Sequence, residues 1–247
     1  MSAPTGTAAP VLTAQGLQRR FGGIMAVADV SFEIWPNEIL GLIGPNGAGK
    51  STIFNLLSGF YRPHNGRLRF FGEDITGRTP SQISRKGLVR TFQHDSLLRD
   101  MSVYDNILVA TVSTVRDRQA RHRRVEETAD LLGLTDVLAE LARNLPHGHQ
   151  RMLGVAIALA TRPKLLCLDE CLTGLNLTEV GRALEIIRQI REEFGIAILF
   201  VEHNMRAVMQ ICDRIVVLHH GLLLAEGTPE EVSRDPKVLE AYLGSKR

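Results

Sequence analysis

Residues 44–52 have the types and the spacing of a loop that binds phosphate groups. They read GPNGAGKST and match the pattern G-x-x-x-x-G-K-[ST], after the apolar run ILGLI and at the start of the helical run STIFNLLSG. Glycines let main-chain N–H groups surround an anion, and the start of a helix adds the positive end of its dipole. The predicted nucleotide contacts are Gly44, Pro45, Asn46, Gly47, Ala48, Gly49, Lys50, Ser51 and Thr52.

Two of these side chains have distinct predicted roles. Lys50 would reach the β and γ phosphates of a nucleoside triphosphate, and the Ser51 hydroxyl would bind Mg²⁺. The alternative is a glycine-rich turn that contains a lysine by chance. The context of strand, loop and helix disfavours that alternative.

A second group of candidate residues follows the apolar run LLCL. Asp169 at the end of this predicted strand would hold Mg²⁺ through water, and Glu170 would orient or deprotonate the attacking water. Two acids after a strand are often only the start of a helix. Together with the phosphate loop, they favour hydrolysis of the bound nucleotide.

Three further side chains are candidates because of where they lie relative to predicted strands. His203 ends the run LFVEH and could contact the γ phosphate, although a lone histidine at a strand end is more often structural. Gln93, in RTFQH, could reach Mg²⁺ and the water. Phe21, in RRFGG, could stack on an adenine ring or fill the core, and the sequence does not separate these two roles.

The stretch LPHGHQ, residues 145–150, allows three interpretations: a metal site, a turn, or the start of a helix that faces phosphate. A metal site at His147 and His149 would need further ligands. Cys167 and Cys171 lack the C-x-x-C spacing, and nothing in the sequence places them near the histidines. The metal interpretation is therefore the weakest of the three.

These candidates must be positioned by a fold in which strands alternate with helices. Strand candidates include SFEI, EILGLIG, KLLCLDE and IAILFVEH, and we predict helices at about residues 50–58 and 178–193. This alternation predicts parallel strands with crossover helices, hence an α/β fold. Residues 94–150 show helical patterns and predict an inserted helical subdomain, and a pair of strands is predicted to turn at Gly221.

Composition excludes several classes of protein. The chain has 247 residues, 44% hydrophobic and 23% charged, as in an ordinary globular protein. A net charge of +2 is too small to indicate a nucleic-acid binder, and the basic run at residues 116–124 is interpreted as a solvated helix face. Three cysteines indicate a reducing compartment, and no apolar run approaches the roughly 18 residues that cross a bilayer. Residues 1–10 are predicted to be a flexible tail without signal-peptide features.

The order of these motifs resembles that of the nucleotide-binding subunits of ABC transporters, over nearly the whole chain. The segments FGGIMAVADVSFEI, LIGPNGAGKSTIFNLLSGFYRP, VRTFQH, VEHNM and AYLG are similar to the ATPase subunits of branched-chain amino-acid importers. The resemblance implies one domain at residues 11–245, with a P-loop NTPase core, the inserted helical subdomain and an antiparallel β subdomain.

The resemblance also implies an activity and a set of partners. ATP hydrolysis with Mg²⁺ would power uptake of branched-chain or related amino acids through membrane permease subunits. A second ATP-binding subunit would complete a homodimer or, as the resemblance favours, a heterodimer, and a substrate-binding protein would be an indirect partner. The chain would lie on the cytoplasmic face of the inner membrane as a peripheral protein, and no nucleic acid is expected.

In this family each ATP lies between the phosphate loop of one subunit and an LSGGQ signature of the other. Residues 145–149 stand at the signature position and read LPHGH, so Leu145 and Gly148 match, while Pro146, His147 and His149 do not. Proline removes a hydroxyl donor and a main-chain N–H, but the start of the helix remains to face phosphate. We hypothesise that a protonated His147 or His149 replaces the lost donor.

Other functions remain as alternatives. An ATPase for urea or amide import or for lipopolysaccharide export would share most motifs, and FGGIMAV with RTFQH favours the amino-acid importer. A soluble ABC ATPase without a permease usually has two such domains or a long insert, which this chain lacks. A regulator that no longer hydrolyses ATP is disfavoured because Glu170 and His203 are present.

Overall fold

Two β-sheets build the protein, and a computed structural model describes residues 9–91 and 97–243 of it. The strands are β1 (Leu12–Phe21), β2 (Ile24–Ile34), β3 (Ile39–Ile43), β4 (Asn65–Phe70), β5 (Glu73–Asp74), β6 (Leu88–Arg90), β7 (Leu165–Asp169), β8 (Ala197–Val201), β9 (Arg214–His219) and β10 (Leu222–Gly227). The helices are α1 (Lys50–Leu57), α2 (Pro80–Lys86), α3 (Val103–Thr111), α4 (Arg118–Leu131), α5 (His147–Ala160), α6 (Leu177–Phe194), α7 (Met205–Ile211), α8 (Pro229–Arg234) and α9 (Pro236–Leu243).

The larger sheet has the strand order β10-β9-β3-β8-β7-β6 and is parallel except for β10. Strands β3, β7 and β8 are buried at every residue. Their sequences ILGLI, LLCLD and AILFV are continuously apolar except for the last aspartate, as expected for parallel strands covered on both faces. The predicted α/β fold is confirmed.

The smaller sheet is antiparallel and has the order β2-β1-β4-β5. Strand β2 pairs with β1 along most of its length, from Leu12 opposite Ile34 to Phe21 opposite Ile24. Gly22 and Gly23 form the turn between these two strands. This sheet is the antiparallel subdomain that the family resemblance implies.

Alternation along the parallel strands divides the core into two clusters, one on each face of the larger sheet. On β3, Ile39 and Ile43 belong to the cluster that includes α5 and α6, whereas Leu40 and Leu42 belong to the cluster that includes α1 and the antiparallel sheet. Because side chains of a strand alternate between faces, one strand supplies both clusters. The larger sheet is therefore the central layer that holds the strand ends in place.

Helix boundaries follow local capping signals. The helix predicted at residues 50–58 is α1, and the one predicted at 178–193 is α6. The Asn176 side chain accepts hydrogen bonds from Thr178 N–H and Glu179 N–H at 3.0 Å each, so α6 begins one residue earlier than predicted. It ends at Gly195, which has a left-handed φ of 59°.

The chain between β6 and β7 is helical in its described part. It contains α3, α4, α5 and an isolated bridge between Ser102 and Leu141, with no strand among the residues described there. Helix α5 continues through residue 150 to Ala160, just before β7. Its buried side chain Leu153 joins the same core cluster as Val103 and Ile107 of α3.

Strands β9 and β10 form the hairpin predicted around Gly221, with His219 opposite Leu222. Gly221 has a positive φ of 76°, which suits a glycine in a tight turn. Within the parts of the chain that the structure describes, no helix is long and apolar enough to cross a membrane.

Candidate nucleotide-binding site

The predicted site residues converge because of the order of the parallel strands. Strand β8 lies between β3 and β7, so the carboxyl ends of all three meet at one edge of the sheet. The phosphate loop follows β3, Asp169 ends β7, and His203 follows β8 by two residues. Ligands of α/β proteins bind at this edge, outside the carboxyl ends of the strands.

Lys50 lies inside the phosphate loop. Its ammonium donates hydrogen bonds to Gly44 O at 2.7 Å and to Pro45 O at 3.2 Å, and the residue is 8% exposed. Burial lowers the pKa of Lys50 because it disfavours the charged form, while the charges of Glu170 and Asp169 oppose this shift. The three side chains therefore share one electrostatic environment.

The glycines of the phosphate loop are needed because main-chain atoms pass very close to them. A Cβ on Gly44 would lie 2.3 Å from Leu218 O, and a Cβ on Gly49 would lie 2.6 Å from Ala26 O. Gly49 also has a φ of 105°. Only glycine fits at these two positions, so the loop lies directly against β2 and β9.

The start of α1 is arranged to receive an anion. Gly49 is its N-cap and has no side chain that could accept from the first N–H groups, and no acidic residue lies in the first turn. The exposed Ser51 lies in this first turn. Free N–H groups and the positive helix end fit a phosphate group, so the residues present fit a nucleotide.

Main-chain hydrogen bonds connect the phosphate loop to both sheets. Gly221 N–H donates to Ala48 O at 3.0 Å, and Ala28 N–H donates to Gly221 O at 2.7 Å. The turn of the β9–β10 hairpin therefore lies between the loop and β2. These bonds hold the loop in shape without depending on side chains.

Asp169 is the buried acid of the site, with 9% of its surface exposed. Burial raises the pKa of its carboxyl, and the Arg90 guanidinium opposes this shift from 4.0 Å. Arg90 also donates to Asn55 Oδ1 on α1 at 2.7 Å and to Ser58 Oγ, just after α1, at 3.1 Å. Arg90 thus connects the acid at the end of β7 to the helix that follows the phosphate loop.

Glu170 has a left-handed backbone, with a φ of 48° that is unusual for a residue other than glycine. Its N–H donates to Val201 O on β8 at 2.9 Å, and Thr173 N–H donates to Glu170 O at 3.3 Å. The chain turns sharply away from the sheet at this residue. Such strained residues are concentrated at functional sites, and they persist only where the surroundings hold them.

His203 and Glu202 follow β8 next to this turn. The His203 side chain is 59% exposed, while the Glu202 side chain is fully buried at 0%. Glu202 Oε1 accepts a hydrogen bond from Leu172 N–H at 2.8 Å, and Glu202 Oε2 lies 4.0 Å from His203 Nδ1. Burial raises the pKa of the Glu202 carboxyl, and the Leu172 hydrogen bond and His203 oppose that shift.

Phe21 lies at the end of β1 and is 38% exposed, outside both core clusters. Its ring makes an edge contact with Tyr61 at 5.1 Å between centroids, and the Arg19 guanidinium lies 4.8 Å from the ring centre. The interpretation of Phe21 as a core residue is therefore wrong. The partly exposed ring stays a candidate for stacking on a base.

The signature segment, residues 145–149, forms the start of α5. Leu145 is buried, and Pro146 is the N-cap without a side-chain hydrogen bond, so the helix begins at His147. The His147 ring lies over the chain at Gly174, where an added Cβ would be 2.7 Å from Cε1. A Cβ on Gly148 would be 3.0 Å from Glu179 Oε1. The segment therefore packs against the loop that follows Glu170 in the same chain.

His149 is partly buried, and its Nδ1 has no hydrogen-bond partner among the described residues. The cysteines are all buried, and burial raises the pKa of Cys167 to about 12. No group of three or more His, Cys, Asp or Glu side chains in the described ranges could hold a metal ion. The described residues thus give no support to a metal site at the histidines.

Sequence reasoning named most of the residues that meet here and missed two. Gln93 lies outside the described residues, so its predicted contact has no structural counterpart. Arg90 and Glu202 were not predicted, although both occur in the quoted motifs VRTFQH and VEHNM. The sequence signal was a charged residue at the end of an apolar strand, which does not identify the strand that lies beside it.

The fold and this edge of the sheet define a phosphate-loop nucleotide-binding domain. A family model described as "ABC transporter" matches residues 27–173, and one described as "Branched-chain amino acid ATP-binding cassette transporter" matches residues 223–246. The chain belongs to the ABC transporter family, and it is an ATPase. Membership implies nucleotide binding and membrane permease partners.

Similar proteins support this assignment over nearly the full length. The chain is 42% identical to the high-affinity branched-chain amino acid transport ATP-binding protein LivG of Escherichia coli (strain K12), covering 95% of this chain and 98% of that protein. It is 34% identical to the lipopolysaccharide export system ATP-binding protein LptB of Haemophilus influenzae, covering 95% and 97%. A crystal structure of the ADP conformation of an ATP-binding cassette of an ABC transporter superposes with a TM-score of 0.86, at 28% identity over 96% of this chain and 100% of that one.

Proposed function

We propose that this chain hydrolyses ATP at the carboxyl edge of its parallel sheet and thereby powers uptake of branched-chain or related amino acids through a membrane permease. The observation that supports the site is the convergence of the phosphate loop, Asp169, Glu170 and His203 at one edge. The cargo is proposed from the names of the relatives at higher identity and from the matched segment at residues 223–246.

Binding would begin at the phosphate loop. Lys50 holds its ammonium on the carbonyls of Gly44 and Pro45, and it would turn from them to the β and γ phosphates. Because the ammonium is already buried, a phosphate anion would relieve the cost of burying its charge. Phe21 would stack on the adenine ring.

A magnesium ion fits the oxygen-bearing side chains of Ser51 and Asp169, which lie on two elements of the site. Ser51, Asp169 and Gln93 would hold it, Asp169 through water. The bound ion supplies positive charge that neutralises the phosphate oxygens. Arg90 lies 4.0 Å from Asp169 and keeps that carboxyl oriented.

Hydrolysis would depend on Glu170 and His203. Glu170 would orient or deprotonate the attacking water, and His203 would contact the γ phosphate. The left-handed turn at Glu170 fixes the start of its side chain relative to β8. Most of the rate enhancement would come from positioning and charge, without a covalent intermediate.

The signature segment would serve the ATP of a second subunit. Its helix start has no side-chain cap, so its N–H groups remain available to an anion. A head-to-tail dimer, a heterodimer in this proposal, would place residues 145–149 opposite the partner's phosphate loop. The chain would lie on the cytoplasmic face of the inner membrane, and a substrate-binding protein would deliver cargo to the permease.

Transport assays test this proposal. The chain is assembled with its permease and second ATP-binding subunit in lipid vesicles, and release of phosphate is measured with leucine, with urea or with lipopolysaccharide supplied to the complex. We expect leucine delivered by the binding protein to stimulate ATP hydrolysis and to enter the vesicles. Stimulation by urea or by lipopolysaccharide alone would contradict the proposed amino-acid cargo. Hydrolysis that needs no permease and responds to nucleic acid would contradict the proposed role in a transporter.

A further inference from the structure

Glu202 is a buried acid beside the nucleotide site, and the proposed reaction gives it no role. It lies between Val201, the last residue of β8, and His203, and its side chain is 0% exposed. Burying a carboxyl group costs free energy unless its oxygens are hydrogen-bonded. An acid inside this apolar layer therefore requires a physical explanation.

The hydrogen bond that Glu202 accepts comes from the loop that carries Glu170. Leu172 N–H donates to Glu202 Oε1 at 2.8 Å. Two residues earlier in the same loop, Glu170 N–H donates to Val201 O at 2.9 Å. Leu172 therefore bonds to a side chain just after β8, whereas Glu170 bonds to the main chain of β8.

There is a geometric reason why Glu170 N–H bonds to a main-chain acceptor and Leu172 N–H to a side-chain acceptor. Strands β7 and β8 are paired in parallel up to Asp169 opposite Val201. At Glu170 the φ of 48° turns the loop away from the sheet, so the main chain of β8 no longer supplies an acceptor to the next N–H groups. The longer reach of the Glu202 side chain supplies that acceptor to Leu172.

These two hydrogen bonds lie on either side of the Glu170 side chain. A non-glycine residue in the left-handed region costs about 1 to 3 kcal/mol and persists only where neighbouring contacts hold it. The Leu172 bond is one of those contacts. Its carboxyl partner immediately precedes His203, whose Nδ1 lies 4.0 Å from Glu202 Oε2.

We propose that Glu202 is a positioning residue for ATP hydrolysis, whose side-chain oxygen fixes the turn that carries Glu170 against the strand end that carries His203. This role rests on the proposed functions of those two residues. Glu202 acts through the main chain of the loop. Removing the side-chain oxygen of Glu202 would therefore loosen the turn at Glu170. The phosphate loop, which binds ATP, would stay intact.

The test compares Glu202→Gln with Glu202→Met in the assembled transporter. Glutamine keeps an oxygen that accepts from Leu172 N–H, whereas methionine has a similar length and no such oxygen. We expect kcat to stay within about twofold of the wild type for Glu202→Gln and to fall at least about tenfold for Glu202→Met, since misplacing a catalytic group by 1 Å costs up to about 100-fold. The KM for ATP should be the same in all three proteins.

Several results would overturn the role of Glu202. A wild-type kcat in Glu202→Met, equal losses in both variants, or a change confined to KM would each do so. Lys50→Ala in the same complex separates this outcome from failure of the proposed function. If Lys50→Ala abolishes hydrolysis while Glu202→Met does not, only the positioning role fails; if the wild type hydrolyses no ATP, both fail.

Hydrogen exchange of the wild-type chain provides a test that needs no variant to fold. The Leu172 amide is expected to exchange at least about tenfold more slowly than an unprotected loop amide, because its N–H is bonded in a buried position. Exchange at the unprotected rate would overturn the proposal. We expect the Leu172 amide to exchange slowly in the wild type and in Glu202→Gln, and to lose this protection in Glu202→Met.

Discussion

The phosphate loop at residues 44–52 and the signature segment at residues 145–149 each open a helix, and neither helix start has a side-chain cap. The two segments differ in the kind of atoms that lie against their glycines. Main-chain oxygens of Leu218 and Ala26 lie against Gly44 and Gly49 of the loop, whereas the Glu179 side chain lies against Gly148 of the signature segment.

This difference predicts that the two segments respond differently to substitution of their glycines. A glycine that faces a fixed carbonyl oxygen cannot be replaced without moving the main chain. A position whose neighbours are side chains can change if the neighbours rotate. The phosphate loop is therefore specified by its main chain, and Gly148 of the signature segment is expected to accept a larger side chain more readily than Gly44 or Gly49.

The largest effect is expected from Lys50→Ala, which removes the buried cation of the phosphate loop. We predict a loss of at least about 100-fold in ATP hydrolysis, as for removal of a charge-stabilising group from an active site. Phosphate release from the assembled complex measures it. Lys86→Ala is the matched control, because its ammonium makes a surface ion pair with Glu73. Equal activities of the two variants would contradict the role of the loop.

Alanine substitutions compare the two helix starts directly. Gly49→Ala places a Cβ 2.6 Å from Ala26 O at a φ of 105°, and we predict a loss of about 2 to 4 kcal/mol in the free energy of unfolding. Gly148→Ala places a Cβ 3.0 Å from Glu179 Oε1 and 3.6 Å from Leu175 Cδ2, and the gain in helix propensity offsets these side-chain contacts to within about 1 kcal/mol. Urea denaturation measures both, and equal losses would remove the distinction.

A smaller effect is expected from Pro146→Ser in the signature segment. The serine hydroxyl supplies the missing N-cap acceptor, and such a cap stabilises a helix by about 1 kcal/mol. We predict a corresponding rise in the free energy of unfolding and stronger ATP-driven dimerisation. Pro146→Ala restores the N–H without the hydroxyl and serves as the control. If serine and alanine behave alike, the hydroxyl has no role.

The smallest predicted effect is a pH dependence of stability from Glu202. Burial raises its pKa above the ordinary value of 4.5, so the folded chain keeps this proton to a higher pH than the unfolded chain does. Stability of the wild type relative to Glu202→Gln should therefore fall as the pH rises from about 4.5 towards the raised pKa. Thermal melting at several pH values measures the difference, and a constant difference would contradict it.

The sequence was sufficient to predict features that depend on residues close to one another along the chain. Glycine spacing around Lys50 identified the phosphate loop, and the two acids after LLCL identified a strand end, because strand ends and helix starts have local signals. Helical patterns predicted the inserted helices, and the family resemblance supplied the antiparallel sheet. These features need no knowledge of which strands are neighbours in space.

Features that depend on strand order could not be predicted in this way. Arg90 lies beside Asp169 because β6 pairs with β7, and Glu202 reaches Leu172 because β7 pairs with β8. Phe21 contacts Tyr61, which lies far along the chain. Such contacts arise from tertiary packing, for which the local sequence carries no periodic signal.

Single-turnover hydrolysis in the proposed heterodimer compares this chain's phosphate loop with its signature segment most directly. In the proposed mechanism Glu170→Gln removes hydrolysis at this chain's own phosphate loop, so the remaining activity would depend on the partner's ATP and on residues 145–149. The matching change in the partner leaves only the site built on Lys50, Asp169 and Glu170. We predict a lower residual rate for Glu170→Gln than for the partner's variant; equal residual rates, or a higher rate for Glu170→Gln, would contradict a difference between the two sites.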